Sequence, residues 1–381
     1  MQIQNYPHFS HLTHIHIADI HFGCINPVLE LQILKEQFID QISKISFDIL
    51  SIDGDLFDRK FAANNIAVSC AIEFISLCSM ICEIRHAALI IIEGTESHDA
   101  SQINIFRSMY MPSGMELYII DKTQFIETHG VKILCIPEEY GKGSLYYDRF
   151  LKESYDMVFM HGTLINSIPG ATAENLDSRR EPIFSIDSFS SCLGPIYAGH
   201  VHVAQCIQGH MYYISSPIRW KFGEEQPKGY IIAIFDKNTY RYYNQFMPIS
   251  SFIYRTISID DLSSNDPNEI IKILDSMHNS GDDYIRLNCK GIPATTQAII
   301  RKYYHEMKNP YVKLFNKVNA EFNNNLVDIT SQQFEMDNSS ELSFLLDDKL
   351  DELTKFIMYV NYNAGEDTIS LNTLKKILSE K

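Results

Sequence analysis

Five short segments rich in aspartate and histidine follow one another between residues 19 and 202. They are Asp19-Ile20-His21, Gly54-Asp55-Leu56-Phe57-Asp58, Gly94-Thr95-Glu96-Ser97-His98-Asp99, His161-Gly162 and Gly199-His200-Val201-His202. Carboxylate oxygen and imidazole nitrogen are donors that suit Mn²⁺, Fe²⁺ or Zn²⁺. Two such ions held close together generate hydroxide at neutral pH and clamp a phosphoryl group. The chemistry these residues suggest is the hydrolysis of phosphate esters. Each motif alone is weak, since a lone histidine on an apolar strand is usually a packed core residue. Their shared context carries the information.

Each motif follows an apolar, strand-like run and ends in a turn. The runs are Leu12–Ala18, Phe47–Ile52, Ala87–Ile92, Tyr155–Met160 and Pro195–Ala198. The ligands are thereby placed at the carboxyl ends of several strands, where layered folds put their sites. Between the runs, Pro27–Ile45 and Asn64–Ile84 repeat apolar residues at three and four and predict helices. From Val131 onward strands dominate, with turns at Gly141-Lys142-Gly143 and Pro169-Gly170. Tyr212–Ile214, Tyr230–Phe235 and Arg241–Phe246 read as consecutive strands. The fold class expected is α+β, a central two-sheet sandwich flanked by helices. The segment Leu164–Pro182, with Arg179-Arg180, has no periodicity and is either a surface loop or a substrate contact near His161. A boundary falls near Pro248–Phe252. Beyond it come a strand, a helix (Pro267–His278), a strand (Asp283–Cys289) and a helix (Thr295–Met307), a compact α/β unit. We expect domains at 1–250, 251–320 and 321–381. In the last, Leu342, Leu345, Leu346, Leu350, Leu353, Ile357 and Val360 form an apolar stripe, and Leu371, Leu374, Ile377 and Leu378 a second. Two short amphipathic helices of this kind either dock on a partner or pack on their own domain.

Taken together, the motifs resemble those of the calcineurin-like metallophosphoesterases over residues 10–250. The resemblance implies a four-layer sandwich with a small α/β capping domain and C-terminal helices. It also implies that Asp19, His21, Asp55 and His202 bind one metal. Asp55 would bridge to a second metal held by His161, His200 and a residue of the third motif. His98 would not be a ligand; it matches the family's histidine that faces the phosphate and helps the leaving oxygen depart. Asp58 and Asp99 would be carboxylates that orient a histidine, or equally turn or helix caps. The third motif departs from the family, which has Gly-Asn-His-Asp or Gly-Asn-His-Glu there. Here Ser97 precedes His98, two residues are added after Gly94, and the asparagine is missing. Either Ser97 offers a hydroxyl to a loosely held second metal, or Glu96 contributes instead.

The Gly54-Asp55-Leu56-Phe57-Asp58 form of the second motif is similar to that of SbcD-type DNA-repair nucleases. So is the series Ser215-Ser216-Pro217, Phe222-Gly223-Glu224-Glu225 and Lys228-Gly229-Tyr230. This likeness implies a two-metal nuclease, exo- or endonucleolytic on duplex DNA ends, with Mn²⁺ as the expected metal. It implies a homodimer whose C-terminal helices hold an SbcC-like, SMC-type ATPase. Two rivals stand beside this reading: a phosphoesterase of the same fold acting on phosphoproteins or cyclic nucleotides, and a catalytically weakened scaffold for the ATPase. No Gly-rich phosphate loop is present, so the chain lacks its own nucleotide motor.

Composition bears on compartment and partner. Hydrophobic residues make up 45% of 381, a globular proportion. No apolar run is expected to span a membrane, and no leader is evident at the amino terminus. Eight cysteines are scattered without a Cys-x-x-Cys, so we expect a reduced, cytoplasmic protein in which Cys78 and Cys82 are core thiols. A net charge of −16 is unusual for a DNA-binding protein, because non-specific affinity comes from neutralised phosphates. The charge is uneven, however. Arg286, Lys290, Arg301, Lys302, Lys308, Lys313 and Lys317 stand against one acid, Glu306, with Tyr303, Tyr304 and Tyr311 interleaved. This stretch is either a duplex-binding patch or a solvated face. The tail 319–381, with 12 acids and 5 bases, repels DNA and suits a protein partner.

Overall fold

The computed structural model describes residues 11–108, 115–165, 167, 182–258, 262, 264–279, 283–307 and 311–315. Most of the loop 164–182 and both C-terminal amphipathic stripes lie outside these residues, as do Lys308 and Lys317.

Two six-stranded mixed sheets form the body of the protein. The first runs β14 (Tyr242–Pro248), β13 (Gly229–Asp236), β1 (His11–Ile17), β2 (Ile49–Asp53), β3 (Ala88–Ile92) and β4 (Leu117–Ile120) from edge to edge. The four strands β1 to β4 are parallel, and the hairpin β13–β14 closes one side antiparallel to β1. The second runs β11 (Gln205–Ile207), β12 (Met211–Tyr213), β10 (Ile196–Gly199), β7 (Met157–His161), β6 (Val131–Ile136) and β5 (Gln124–Thr128). Its four central strands are parallel and its two edges antiparallel. A short pair, β8 (Thr163–Leu164) and β9 (Ile183–Phe184), stands apart.

Side-chain alternation explains the layers. Ile15, Ile17, Leu50, Ile52, Leu89 and Ile91 point to a core shared with the helices α1 (Pro27–Leu34) and α3 (Ile66–Arg85). Their neighbours Ile49, Ala88, Ile90 and Ile92 point the other way and pack against Ile133, Phe159 and Tyr197 of the second sheet. That sheet's far side, Leu134, Val158, Met160 and Ala198, is covered by α4 (Ser144–Leu151) and the segment around Phe189. Central strands buried on both faces read as continuous apolar runs, as Ala88–Ile92 does. The result is helix, sheet, sheet, helix.

The expected helix over Pro27–Ile45 begins on a proline, with Asn26 capping Val28 N and Leu29 N. It then widens into a π-turn at Lys35–Ile39 and ends in one short turn, α2 (Asp40–Ile42). The helix expected at Asn64–Ile84 is α3, capped by Asn65 and stopped by His86 in the left-handed region. By length and composition α3 could cross a membrane, which corrects the expectation that no run is that long. Its inner residues Phe74, Ile75, Cys78 and Cys82 are packed in the core against the first sheet, which accounts for their apolarity without a bilayer. All eight cysteines are free thiols.

The region after β14 has a core of its own. The parallel strands β15 (Tyr254–Ile257), β16 (Tyr284–Asn288) and β17 (Val312–Phe315) carry α5 (Pro267–Asn279) and α6 (Ala294–His305). Ile270, Leu274, Ile285, Leu287, Ile300 and Tyr304 fill it.

Candidate metal centre

The five motifs meet where β1, β2, β3, β7 and β10 end. Beyond β1 and β2 the chains stay paired: Asp19 N donates to Gly54 O (3.0 Å), His21 N to Asp55 O (2.9 Å) and Phe22 N to Leu56 O (2.9 Å). This pairing sets the first two motifs side by side. Four residues of the five motifs hold left-handed backbone: Asp19 (φ 53°), His21 (φ 56°), Asp55 (φ 49°) and His200 (φ 91°). Such conformations cost on the order of 1–3 kcal/mol each and cluster at functional sites. The motif glycines have a different role. A Cβ on Gly94 would lie 2.1 Å from Asp55 Oδ1, and one on Gly199 would lie 2.1 Å from Asp53 O. Only glycine lets the turns close this tightly.

Four groups of ligand atoms result, the atoms of each lying within 4.8 Å of one another: Asp19, His21 and His202; Asp19, Asp55 and His161; His21, Asp55 and His98; and Glu138, His161 and His200. Nε2 of His21 and of His202 approach to 3.1 Å. Asp19 Oδ2 is buried with no hydrogen-bond partner, while Oδ1 accepts His200 N at 2.8 Å. Lone pairs that converge in this way, with few protons among them, fit a cation. The donor set of carboxylate oxygen and imidazole nitrogen is that of a hard or borderline divalent ion. Asp55 lies between the groups, with Oδ2 3.7 Å from His21 Nε2 and 3.3 Å from His161 Nε2. Thr95 N donates to its Oδ1 at 2.6 Å.

Electrostatics agree with the geometry. Burial disfavours a charge on His161, yet Asp55, Asp19 and Glu138 outweigh it and raise the imidazole above its ordinary range. Burial likewise pushes His21 down, against the pull of Asp55. Asp55 keeps its charge despite burial because His161, His21 and His98 surround it.

Of the sequence-predicted residues, Asp19, His21, Asp55, His161, His200 and His202 converge. Ser97 and Glu96 are both exposed. The same turn sends Thr95 inward instead. Asp99 is fully buried, and its carboxylate accepts Phe57 N (2.9 Å) and Gly94 N (2.8 Å), tying the second motif to the third. His98 is oriented by the main-chain oxygen of Asp58, which meets Nδ1; the Asp58 carboxylate lies 3.7 Å from Arg59 Nε.

Several participants were not singled out from sequence. Glu138 follows β6, buried, with no motif around it. Trp220, the chain's single tryptophan, lies 5.3 Å from the His21 ring and 5.7 Å from that of His202. A buried chain, His14 to His16 (2.7 Å) to Asp53 (2.7 Å), runs between the sheets, and Asp53 O meets His161 Nδ1 at 2.9 Å. The alternation of His14 and His16 on a strand was the available signal, since two histidines on one buried face need a partner.

Behind His202 sits a buried ion pair. Lys228 Nζ donates to His202 O (2.6 Å) and to Glu224 Oε1 (3.0 Å), and Glu224 Oε2 accepts Trp220 N (2.9 Å). Burial raises the Glu224 carboxyl, but the His202 imidazole 3.5 Å away, Lys228 and the Trp220 amide outweigh it and hold it at about 2, below the ordinary 4.5. A carboxylate whose folded value is depressed stabilises the fold above its unfolded value and loses that contribution as pH falls towards the folded one. Glu224→Ala strands the lysine ammonium in the interior, which costs about 3–5 kcal/mol. We expect a lower urea midpoint at pH 7, with the gap to wild type narrowing as pH drops from 4.5 towards 2. Equal midpoints at pH 7 would show that Lys228 finds another partner.

No protein-family model matches this chain. It is similar to a protein of Invertebrate iridescent virus 6 named "Putative phosphoesterase 244L", 23% identical over 227 residues, which cover 58% of this chain and 75% of that one. Among solved structures, one chain aligns over 62% of this protein and 99% of its own length, at 9% identity and a TM-score of 0.37, too loose a likeness to carry an argument. The chain is thus distantly related to a viral protein named for phosphoester hydrolysis, and it carries buried histidine and aspartate groups that can hold metal ions.

Proposed function

We propose that this protein is a metal-dependent phosphodiesterase that acts on DNA, a nuclease of the SbcD type. The observation that supports it most is the convergence of Asp19, His21, Asp55, His161, His200 and His202, with Asp55 shared between neighbouring ligand groups. Two divalent ions, Mn²⁺ by our reading, would be held by these residues. When bound they would supply Lewis acidity and a nucleophile at neutral pH. The chain's own residues do the rest. Asp55 sets the spacing of the two positions. His98, fixed through Nδ1, presents its other nitrogen for proton transfer. Gly94 and Gly199 keep the turns close enough for the ligands to meet.

For the DNA substrate, the support is the series of sequence motifs and the exposed cations of the region after β14. Lys290, Arg301, Lys302 and Lys313 are exposed. Arg286 is engaged within the protein: it lies 5.0 Å from the Phe222 ring and 5.4 Å from that of Phe315, and bonds Thr256 Oγ1 at 3.1 Å. Two of the interleaved tyrosines are also engaged within the protein. Tyr304 and Tyr311 both donate to Asp275 Oδ1. Binding would therefore be electrostatic, with little stacking. An SMC-type ATPase partner, held by residues after 340, belongs to the same proposal.

The test is Mn²⁺-dependent digestion of linear duplex DNA beside a small phosphodiester, for wild type and for Arg301→Glu/Lys302→Glu. Losing two phosphate contacts is expected to weaken DNA binding and to reduce the salt slope by about 2. Cleavage of the small ester by a protein that ignores DNA would refute the nuclease reading and leave a phosphoesterase of another specificity.

A further inference from the structure

We infer that Glu138 provides the second metal position with a carboxylate, in the place that the family resemblance gives to a neutral amide. The inference rests on the two-metal reading above but concerns residues outside the five motifs.

Glu138 lies just past β6, with its side chain almost wholly buried. Oε2 is 3.3 Å from His200 Nδ1 and 3.6 Å from His161 Nε2. It is also 3.2 Å from Thr95 Oγ1. That hydroxyl lies in turn 3.2 Å from Asp55 Oδ2 and 3.4 Å from His161 Nε2. A count of protons shows what is missing. His161 gives its Nδ1 hydrogen to the Asp53 carbonyl, since a carbonyl only accepts. Nε2 is then the nitrogen that faces Asp55 Oδ2 and Glu138 Oε2, and it would become a ligand where a metal ion takes the place of a proton. The Thr95 hydroxyl has one hydrogen, and two carboxylate oxygens and one imidazole nitrogen surround it. It can satisfy one of the three. Buried lone pairs in such excess call for a cation. Among the described residues, the ion-pair partners of Glu138 are His161 and His200, and no lysine or arginine joins them.

The arrangement also explains why the third motif can lack its asparagine. The longer turn carries Ser97 and Glu96 to the surface. The vacated role is filled from the segment after β6, by a carboxylate rather than by a substitute within the motif. With Asp55 and Glu138 together, the position is doubly anionic and suits a hard divalent ion. It should therefore fill readily, not loosely.

The experiment is titration of the metal-free, full-length protein with Mn²⁺ alone, followed by calorimetry and by electron paramagnetic resonance. Trp220 fluorescence serves as a separate monitor of the first position, because its ring neighbours are His21 and His202. Wild type is expected to bind two Mn²⁺ and to show a spin-coupled pair. Glu138→Gln should keep the first event, with an unchanged Trp220 response. Its second event should weaken at least about 10–100-fold, the loss seen even when partners outside the ligand shell are removed, and the coupled signal should give way to that of an isolated ion. Glu138→Asp, which restores the charge on a shorter stem, should recover part of the second event and guards against a folding defect in the glutamine variant. Two tight sites in Glu138→Gln would overturn the inference. So would loss of the second site in Ser97→Ala with Glu138→Gln unaffected. A wild type that binds no Mn²⁺ overturns both this inference and the proposed function. Two ions bound, one of them dependent on Glu138, in a protein that does not cut DNA would uphold the inference and defeat the nuclease reading alone.

Discussion

Asp55→Asn is expected to reduce metal-dependent hydrolysis to background while the protein stays folded. The Asp55 carboxylate belongs to two of the ligand groups, one with His21 and His98 and one with Asp19 and His161. Losing its charge weakens both positions at once. Metal ions contribute several kcal/mol of transition-state stabilisation, so a loss on the order of 10³-fold or more is expected. Asparagine is a better choice than alanine here. Asp55 holds φ at 49°, a left-handed conformation that asparagine tolerates and alanine resists. The variant should also bind fewer than two Mn²⁺ by calorimetry, with an unaltered circular dichroism spectrum. Wild-type turnover in a preparation free of contaminating nuclease would refute the assignment of Asp55.

Why those residues were readable from sequence is a matter of strand physics. Ala88–Ile92 is apolar on both faces because both faces are buried, and Ile49, Leu50 and Ile52 divide between the same two cores. A ligand at the end of such a run is conspicuous against it. The helices over Pro27–Ile45 and Asn64–Ile84 were legible through apolar residues repeating at three and four, which bury one face against the first sheet. What stayed hidden has a common cause: it depends on which strand lies beside which. Glu138 belongs to no motif, and only the pairing of β6 with β7 brings it to His161. Thr95 and Ser97 are two residues apart in one turn, and nothing in their spacing says which faces inward. The tyrosines at 304 and 311 stood out as interleaved with a basic stretch, but both hydroxyls are committed to a single carboxylate, Asp275. Likewise, the Phe222-Gly223-Glu224-Glu225 and Lys228 series stood out as a family likeness, while its physical content is the buried pair that backs His202.

His98→Ala should separate proton transfer from metal binding. We expect the variant to retain both Mn²⁺ ions and to lose turnover by about 10²–10⁴-fold, the usual contribution of a positioned general acid. The structural reason is the tautomer. Nδ1 meets the carbonyl oxygen of Asp58, and a carbonyl only accepts, so the Nδ1 hydrogen is committed there. Nε2 is then the nitrogen that can pass a proton to a departing oxygen. The ring stands at 78° to that of His21, with centroids 4.6 Å apart, which fixes its plane. A general acid matters most when the leaving group is basic. The deficit should therefore be large for DNA, whose leaving group is a sugar alkoxide, and small for an ester that releases an acidic phenol. The geometry allows a rival role, because His21, Asp55 and His98 offer ligand atoms within 4.8 Å of one another. If His98 is a ligand, His98→Ala will bind less Mn²⁺, and both esters will suffer alike. A leaving-group-dependent deficit at full metal occupancy is the outcome that assigns His98 to the proton.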